Sequence, residues 1–302
     1  MDALAAHRAA LGGAVSAPAK VNLALHVTGR RENGYHDLDS LVVFARDGDH
    51  LTITPADQDQ LTIEGPFAAG LPLDRGNLVL RALDLARSLA ARVGIDLPPV
   101  HIHLQKNLPL SSGIGGGSAD AAALLRWIAD AYPVLADRLS AECLSLGADV
   151  PMCWAGRAAR VRGIGEVSAP VARLGRFAMV LVNCGAPVST PAAFSGLERR
   201  DNPPLPALPA GGFADLEQLV SYLRDTRNDL EAPALRIVPE IAAVSRALAD
   251  EGAAFQRMSG SGATVFALFE NTSQADAAAT RLRTRQPHWW VAATEIQPMG
   301  EA

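Results

Sequence analysis

An α+β fold in two unlike domains is what this sequence predicts, and three observations predict it. The chain has 302 residues, 49% of them apolar, which is long for one hydrophobic core and ample for two. Its first half opens with short runs of strand character and then changes to helical periodicity. Around residues 165–176 the pattern breaks at GEVSAPVARLGR, and a new apolar run, AMVLVN at 178–183, begins a second series of strands and helices. The expected boundary lies near 170, giving domains at 1–170 and 171–302, and no internal repeat competes with it.

Taken in order, Val21, Leu23, Leu25 and Val27 alternate with Asn22, Ala24, His26 and Thr28, the two-residue period of a half-buried strand. Lys20 and Asn22 therefore share a face. Further strands are expected at 41–44, 51–54, 61–64 and 100–104. Leu78, Ala82, Leu85, Ala86 and Leu89 recur at helical spacing, as do Ala121, Leu124, Leu125 and Ile128, so two amphipathic helices can cover the strands. After 178–183 the expectations are helices near 216–225 and 238–251, a strand at 263–269, a helix at 273–285 and a last strand at 290–294. The stretch 197–215, LERRDNPPLPALPAGGFAD, is too rich in proline and glycine for regular structure and reads as a surface loop.

Composition excludes several classes of function. A net charge of −5 provides no overall positive field for nucleic acid or an anionic membrane. Cys143, Cys153 and Cys184 are odd in number and isolated, which suggests neither a disulfide framework nor a zinc site and fits a reducing cytoplasm. The N-terminal stretch, MDALAAHRAALGGAVSAPAK, lacks the pattern of a targeting signal, and no apolar run has membrane-spanning length. His101 and His103 share a strand face, but with Gln105 they read as its polar side, and no residue is assigned to metal.

The segment PLSSGIGGGSADAAALL, from Pro109, places a glycine cluster between a strand and an amphipathic helix, with Ser118 expected as N-cap and Asp120 in the first turn. Glycines let the backbone adopt positive φ and approach a ligand, and a helix start offers unpaired N–H groups and the positive end of its dipole. A polyphosphate suits such a junction; a flexible loop with a serine cap is the plainer alternative. The segment lacks the Walker pattern GxxxxGK[ST], a dinucleotide fingerprint fails because Ser118 stands where glycine is required, and the chain has neither HRD nor DFG.

Lys20 and Lys106 are the only lysines among 27 basic residues. A compact ammonium fits beside a phosphate or carboxylate where a guanidinium fork does not, although chance placement on a solvated face is the alternative. Asp149, in LGADVPMCW, is a lone carboxylate that could be a turn or cap residue. Phosphoryl transfer needs a carboxylate to accept the hydroxyl proton and a cation nearby, roles that Asp149 and Lys20 could fill, but their separation in sequence leaves their proximity open.

Three segments together, APAKVNLAL at 17–25, PLSSGIGGGSADAA at 109–122 and RMSGSGATVFAL at 257–268, resemble the GHMP kinase superfamily. Within it, PAKVNLALHVTGRRENGYHDLDSL, GGGSAD and LGADVP are most similar to the branch that acts on a cytidine diphosphate alcohol in non-mevalonate isoprenoid synthesis. The resemblance implies a first domain like ribosomal protein S5 domain 2, a ferredoxin-like second domain, and transfer of the ATP γ-phosphate to the substrate 2-hydroxyl. By position it implies Asp149 as base, Lys20 as catalytic lysine and Asn22 beside the substrate. It places Tyr35 and His36 on the cytosine with Phe194 stacking on its other face, although Tyr35 and Phe194 also read as ordinary core or rim aromatics.

The resemblance assigns Pro109, Leu110, Ser111, Ser112, Gly113, Ile114, Gly115, Gly116, Gly117, Ser118 and Ala119 to the nucleotide phosphates, and Asn77 and Lys106 to the adenine side. Gly260, Ser261 and Gly262 match the third motif, a turn closing over the site; a hairpin connector is the other reading. Ser111 and Ser112 depart from the glycine or alanine more usual in this family. The implied cofactors are ATP and Mg²⁺, the latter held mainly through ATP oxygens and water. The implied partner is a small molecule, with a weak homodimer left open. A rival reading is a kinase for another small alcohol, and another is a non-catalytic ligand sensor, against which Lys20 and Asp149 both count.

Overall fold

The computed structural model describes residues 12–297; residues 1–11, part of the stretch read above for a targeting signal, lie outside them. Two long strands, β1 (Gly13–Arg30) and β2 (His36–Pro55), lead to β3 (Gln60–Glu64), helix α1 (Leu78–Ala91), β4 (Val100–Gln105) and helix α2 (Gly116–Ala131). Short helices α3 (Ala136–Glu142) and α4 (Val150–Ala155) precede β5 (Ala159–Gly163) and β6 (Val167–Pro170). Next come β7 (Ala178–Asn183), α5 (Thr190–Ser195), α6 (Leu216–Arg224), α7 (Glu231–Ile237) and α8 (Glu240–Asp250). The last elements are β8 (Phe255–Met258), β9 (Thr264–Phe269), α9 (Thr272–Arg285) and β10 (Trp290–Glu295).

The chain forms two compact units, and neither is contiguous. Among the described residues, the first holds those up to Pro18, Gly48–Leu108 and Gly116–Ala155; the second holds Ala19–Asp47, Pro109–Gly115 and Gly156 to residue 297. A single cut near 170 does not separate them, because most of β1 and the first half of β2 belong with the C-terminal residues.

In the first unit the later half of β2 runs antiparallel to β4, pairing Leu51 with Leu104 and Ile53 with Ile102, and β3 runs parallel to β4. Helix α2 packs against α1 and α4 through an almost wholly apolar surface that includes Ala121, Leu124, Leu125 and Ile128. Helix α1 starts at Asn77, whose side chain accepts from the Val79 N–H, a cap contributing about 1 kcal/mol. The strands expected at 41–44 and 51–54 are one continuous strand of 20 residues. Gly48 permits this: a Cβ there would lie 2.1 Å from the Ala17 carbonyl oxygen, so only glycine allows the close approach.

In the second unit β1 pairs with β2, the early half of β2 pairs antiparallel with β5 (Leu41 with Arg160), and β6 follows β5. A separate antiparallel sheet has the order β10-β7-β9-β8. Helices α8 and α9 pack on it, burying Ile241, Val244, Ala278 and Leu282 against Val180, Val182, Val265 and Ala267. Every residue of β7 and β9 is buried, which is why both read as continuous apolar runs without alternation.

Several expectations change. β1 is not half-buried: residues 19–27 are buried on both faces, including Lys20, Asn22 and His26. The helix expected at 238–251 is α8, starting two residues later because Pro239 forces Val238 out of the helical region (φ −131°, ψ 85°), which also ends α7 before it. β5, β6, β8 and helices α3, α4, α5 and α7 have no counterpart among the expected elements; they are short, and the arginines of ARVRG obscure its alternation.

The stretch 197–215 carries no helix or strand, as expected, but it is strapped down. Arg160 donates to both oxygens of Asp39 and to the carbonyls of Leu205 and Pro206, and Tyr222 donates its hydroxyl to the latter. The buried His26 has Nδ1 at 2.9 Å from the Pro203 carbonyl and Nε2 accepting from the Arg227 N–H. That geometry requires the neutral Nδ1–H tautomer, and burial, the main influence on the ring, lowers its pKa accordingly.

Candidate active site

In the first unit helix α2 begins at Gly116, two residues before the expected cap, so Ser118 stands inside its first turn. A helix start leaves four N–H groups without intrahelical partners, here including those of Gly116, Gly117 and Ser118. Gly117 is exposed, and a Cβ built on it meets nothing within 4 Å. These amides and the helix dipole form an open anion cradle, the feature that fits a nucleotide phosphate.

Asn77 and Lys106, expected toward adenine, have their side chains engaged within the protein. The Asn77 amide caps α1 with its oxygen and donates to the Pro72 carbonyl with its nitrogen. Lys106 is only 2% exposed, with Nζ 2.5 Å from Asp49 and 2.6 Å from Asp120. Burial alone would lower its pKa, but the two carboxylates outweigh that and raise it. Asp149 is half-buried directly before α4, and its carbonyl accepts from the Cys153 N–H, so the residue is a helix-start residue whatever else its carboxylate does. His101 and His103 are half-buried, and both lie within hydrogen-bond distance of the Thr62 hydroxyl.

In the second unit the glycine-rich turn, Pro109–Gly115, is held from two sides. The Lys20 N–H donates to the Ile114 carbonyl, and the Thr264 N–H donates to that of Ser112. Gly113 (φ 76°) and Gly115 (φ 67°) are left-handed, and so is Ser111 (φ 49°), the one non-glycine residue with positive φ among those described. Ser111 thus occupies a position where glycine would be free of strain, which gives the departure noted above a physical cost. The Ser112 hydroxyl turns back onto the Pro109 carbonyl at 2.6 Å.

Residues Ser259–Gly262 join β8 to β9, so this segment is indeed a hairpin connector, and it also packs against the glycine-rich turn. The Ser259 hydroxyl donates to the Gly113 carbonyl and accepts from the Asn22 N–H. Asn22 is 4% exposed and donates to the Ser40 hydroxyl, while its Oδ1 is buried with no hydrogen-bond partner. Lys20 is equally buried. Ser261 lies within hydrogen-bond distance of the Thr190 hydroxyl.

The aromatic group departs from the expected sandwich. His36 and Phe194 stack directly, centroids 4.8 Å apart with 20° between planes, so no base fits between these two rings. Tyr35 is 57% exposed. His36 Nε2 is buried without a partner, and burial, with smaller effects from Arg30 and Arg200, lowers the ring's pKa. A buried, unsatisfied ring nitrogen beside an exposed tyrosine can read the polar edge of a flat heterocycle. Ser40 and Ser259 in the second unit, and Asp49 in the first, carry no sequence motif of their own; Asp120, expected in the first turn of α2, is the fifth residue of the helix because it starts at Gly116.

Family models match at both ends of this arrangement: the GHMP kinases N terminal domain at residues 77–157 and the GHMP kinases C terminal domain at 205–288. The chain belongs to the GHMP kinases. It is 51% identical over 280 residues to a Mesorhizobium japonicum protein called 4-diphosphocytidyl-2-C-methyl-D-erythritol kinase, covering 92% of this chain and 94% of that one. A Paracoccus denitrificans protein of the same name is 50% identical over 283 residues, covering 94% and 96%. A crystal structure of 4-(cytidine 5'-diphospho)-2C-methyl-D-erythritol kinase superposes with a TM-score of 0.76 at 36% identity, covering 94% of this chain and all of the other. A homoserine kinase from Cytophaga hutchinsonii, at 19% identity and TM-score 0.65 over 95% and 96% of the two chains, shares the GHMP kinase fold. The two-domain GHMP kinase architecture expected from the sequence is therefore established.

Proposed function

We propose that this chain is an ATP-dependent kinase that phosphorylates the 2-hydroxyl of 4-diphosphocytidyl-2-C-methyl-D-erythritol, acting in the cytoplasm on non-mevalonate isoprenoid precursors. The observation that carries the substrate is identity of about half over more than nine-tenths of the chain with relatives bearing that name. The buried, unpartnered His36 Nε2 supports it, because a cytosine offers that nitrogen an edge to bond.

In this reading the amides of Gly116–Ser118 and the turn from Pro109 to Gly115 hold the ATP phosphates. Asp149 takes the proton of the 2-hydroxyl as its oxygen bonds to the γ-phosphorus and the bond to the β-phosphate oxygen breaks, releasing ADP. Lys20 offsets the charge that develops on the transferring group. Asn22, with its free buried Oδ1, and the Gly260–Gly262 turn position the alcohol, and Tyr35, His36 and Phe194 hold the base once the Phe194 ring leaves His36. Magnesium carried on ATP would supply charge neutralisation through phosphate oxygens and water, which suits a cradle made of backbone amides.

The test is ADP release measured with ATP and the cytidyl alcohol, set against methylerythritol without the nucleotide, mevalonate and homoserine. Turnover confined to the cytidyl substrate is expected. Turnover of another alcohol alone would reassign the substrate, and ligand binding without any turnover would make the chain a sensor.

A further inference from the structure

Beneath the start of α2 lie three charged side chains almost without contact to solvent: Asp49 on β2, Lys106 just after β4, and Asp120, the fifth residue of the helix, each at most 2% exposed. Asp49 is fully engaged. Its Oδ1 accepts from the N–H groups of Asn107 (2.6 Å) and Leu108 (2.9 Å), and its Oδ2 accepts from Lys106 Nζ. Asp120 accepts only from Lys106 through Oδ2, and its Oδ1 is buried with no partner. The ammonium also lies directly under the helix start, since a Cβ on Gly116 would be 3.0 Å from Lys106 Nζ and 3.5 Å from Asp49 Oδ2.

We propose that Asp49, Lys106 and Asp120 are positioning residues that lock the exit of β4 to the N-terminal end of α2, and that Asp120 does this as a neutral, protonated acid. Two carboxylates around one ammonium would bury a net negative charge, which is costly, directly beneath amides meant to receive phosphate. Retaining one proton removes that charge. Asp120 has a single donor and one oxygen without a partner, so the proton belongs on it. Burial, and then the charge of Asp49, push the Asp120 carboxyl up to about 8 against the opposing pull of Lys106. Among the described residues no other charged side chain, from α1, α3, α4 or β4, acts on Asp120 or Lys106.

The inference rests on the ATP reading above for its functional half only; its structural half is tested without ligand. For an acid whose folded pKa is raised above its unfolded value of 3.8, the stabilisation is complete below 3.8 and is lost as pH rises toward 8. Thermal melts of the full chain with Asp120→Asn, the neutral isostere, should therefore gain on wild type by several degrees between pH 5 and pH 8, with the gain level above that. In kinetics, the wild-type KM for ATP should rise as pH passes 8, when the negative charge forms, and Asp120→Asn should abolish that rise while raising KM at pH 7 no more than about three-fold. Lys106→Met should raise KM for ATP at least ten-fold and leave KM for the alcohol within two-fold; if it fails to fold, Asp120→Asn decides alone. A melt difference independent of pH, or an alkaline rise that persists in Asp120→Asn, would overturn the proposal. Absence of ATP binding by wild type, with the melt behaviour as described, would instead sink the ATP reading and leave the triad standing.

Discussion

Gly113 and Gly260 meet backbone to backbone: a Cβ on Gly260 would lie 2.7 Å from the Gly113 carbonyl oxygen, and one on Gly113 would lie 2.3 Å from the Ser259 carbonyl oxygen. Two glycine motifs 147 positions apart are thus halves of one contact, and neither tolerates a methyl group. Gly113→Ala combines that clash with a φ of 76°, so a destabilisation of about 2–4 kcal/mol is expected. Chemical denaturation of the variant checks it; a loss below half a kcal/mol would mean that the contact yields easily.

Ser111 makes the opposite prediction. Holding a serine at φ 49° costs roughly 1 kcal/mol that glycine would not incur. Ser111→Gly should raise the melting temperature by about 2 °C. A lower melting temperature would show that the serine side chain makes a compensating contact.

Asp149→Asn keeps the shape of the side chain and removes its basicity. Single-turnover phosphoryl transfer should fall by at least ~100-fold while ATP affinity changes little. Near-normal transfer would leave Asp149 as only the residue that starts α4.

Lys20 is buried, with 4% of its surface exposed, so an arginine there has no room for its wider fork. Lys20→Arg should reduce kcat by ~100-fold or more with the fold intact by circular dichroism. An active arginine variant would show that any cation suffices.

His36 should set an acid limb. Its lowered pKa keeps the ring neutral through the physiological range, so KM for the cytidyl alcohol should be flat above 6.5 and rise only at lower pH, as the ring gains a charge beside Arg30 and Arg200. A rise centred above 6.5 would place the titrating group elsewhere.

Much of this was legible in the sequence, for identifiable reasons. The glycine cluster before an apolar 3.6-residue repeat announced α2, and the unbroken apolar run AMVLVN announced β7 to the residue. Ser118 misled as a cap because Gly116 and Gly117 already have the freedom to start the helix. Lys106 stood out by rarity, yet rarity does not distinguish a phosphate partner from a buried carboxylate partner, and the Asp49 that decides the matter lies 57 residues away. The direct stacking of Phe194 on His36 depends on side-chain geometry across 158 positions, which periodicity does not encode.

The proline-rich segment has a kinetic consequence. Its carbonyls at Pro203, Leu205 and Pro206 are held by side chains from elsewhere in the unit, those of His26, Arg227, Arg160 and Tyr222. A loop tethered at several points swings only when those tethers break together, so it behaves as a wall and not as a door. Substrate residence time should then be governed by the Phe194 ring, and grafting the segment onto a relative would transfer little unless its anchors travel with it.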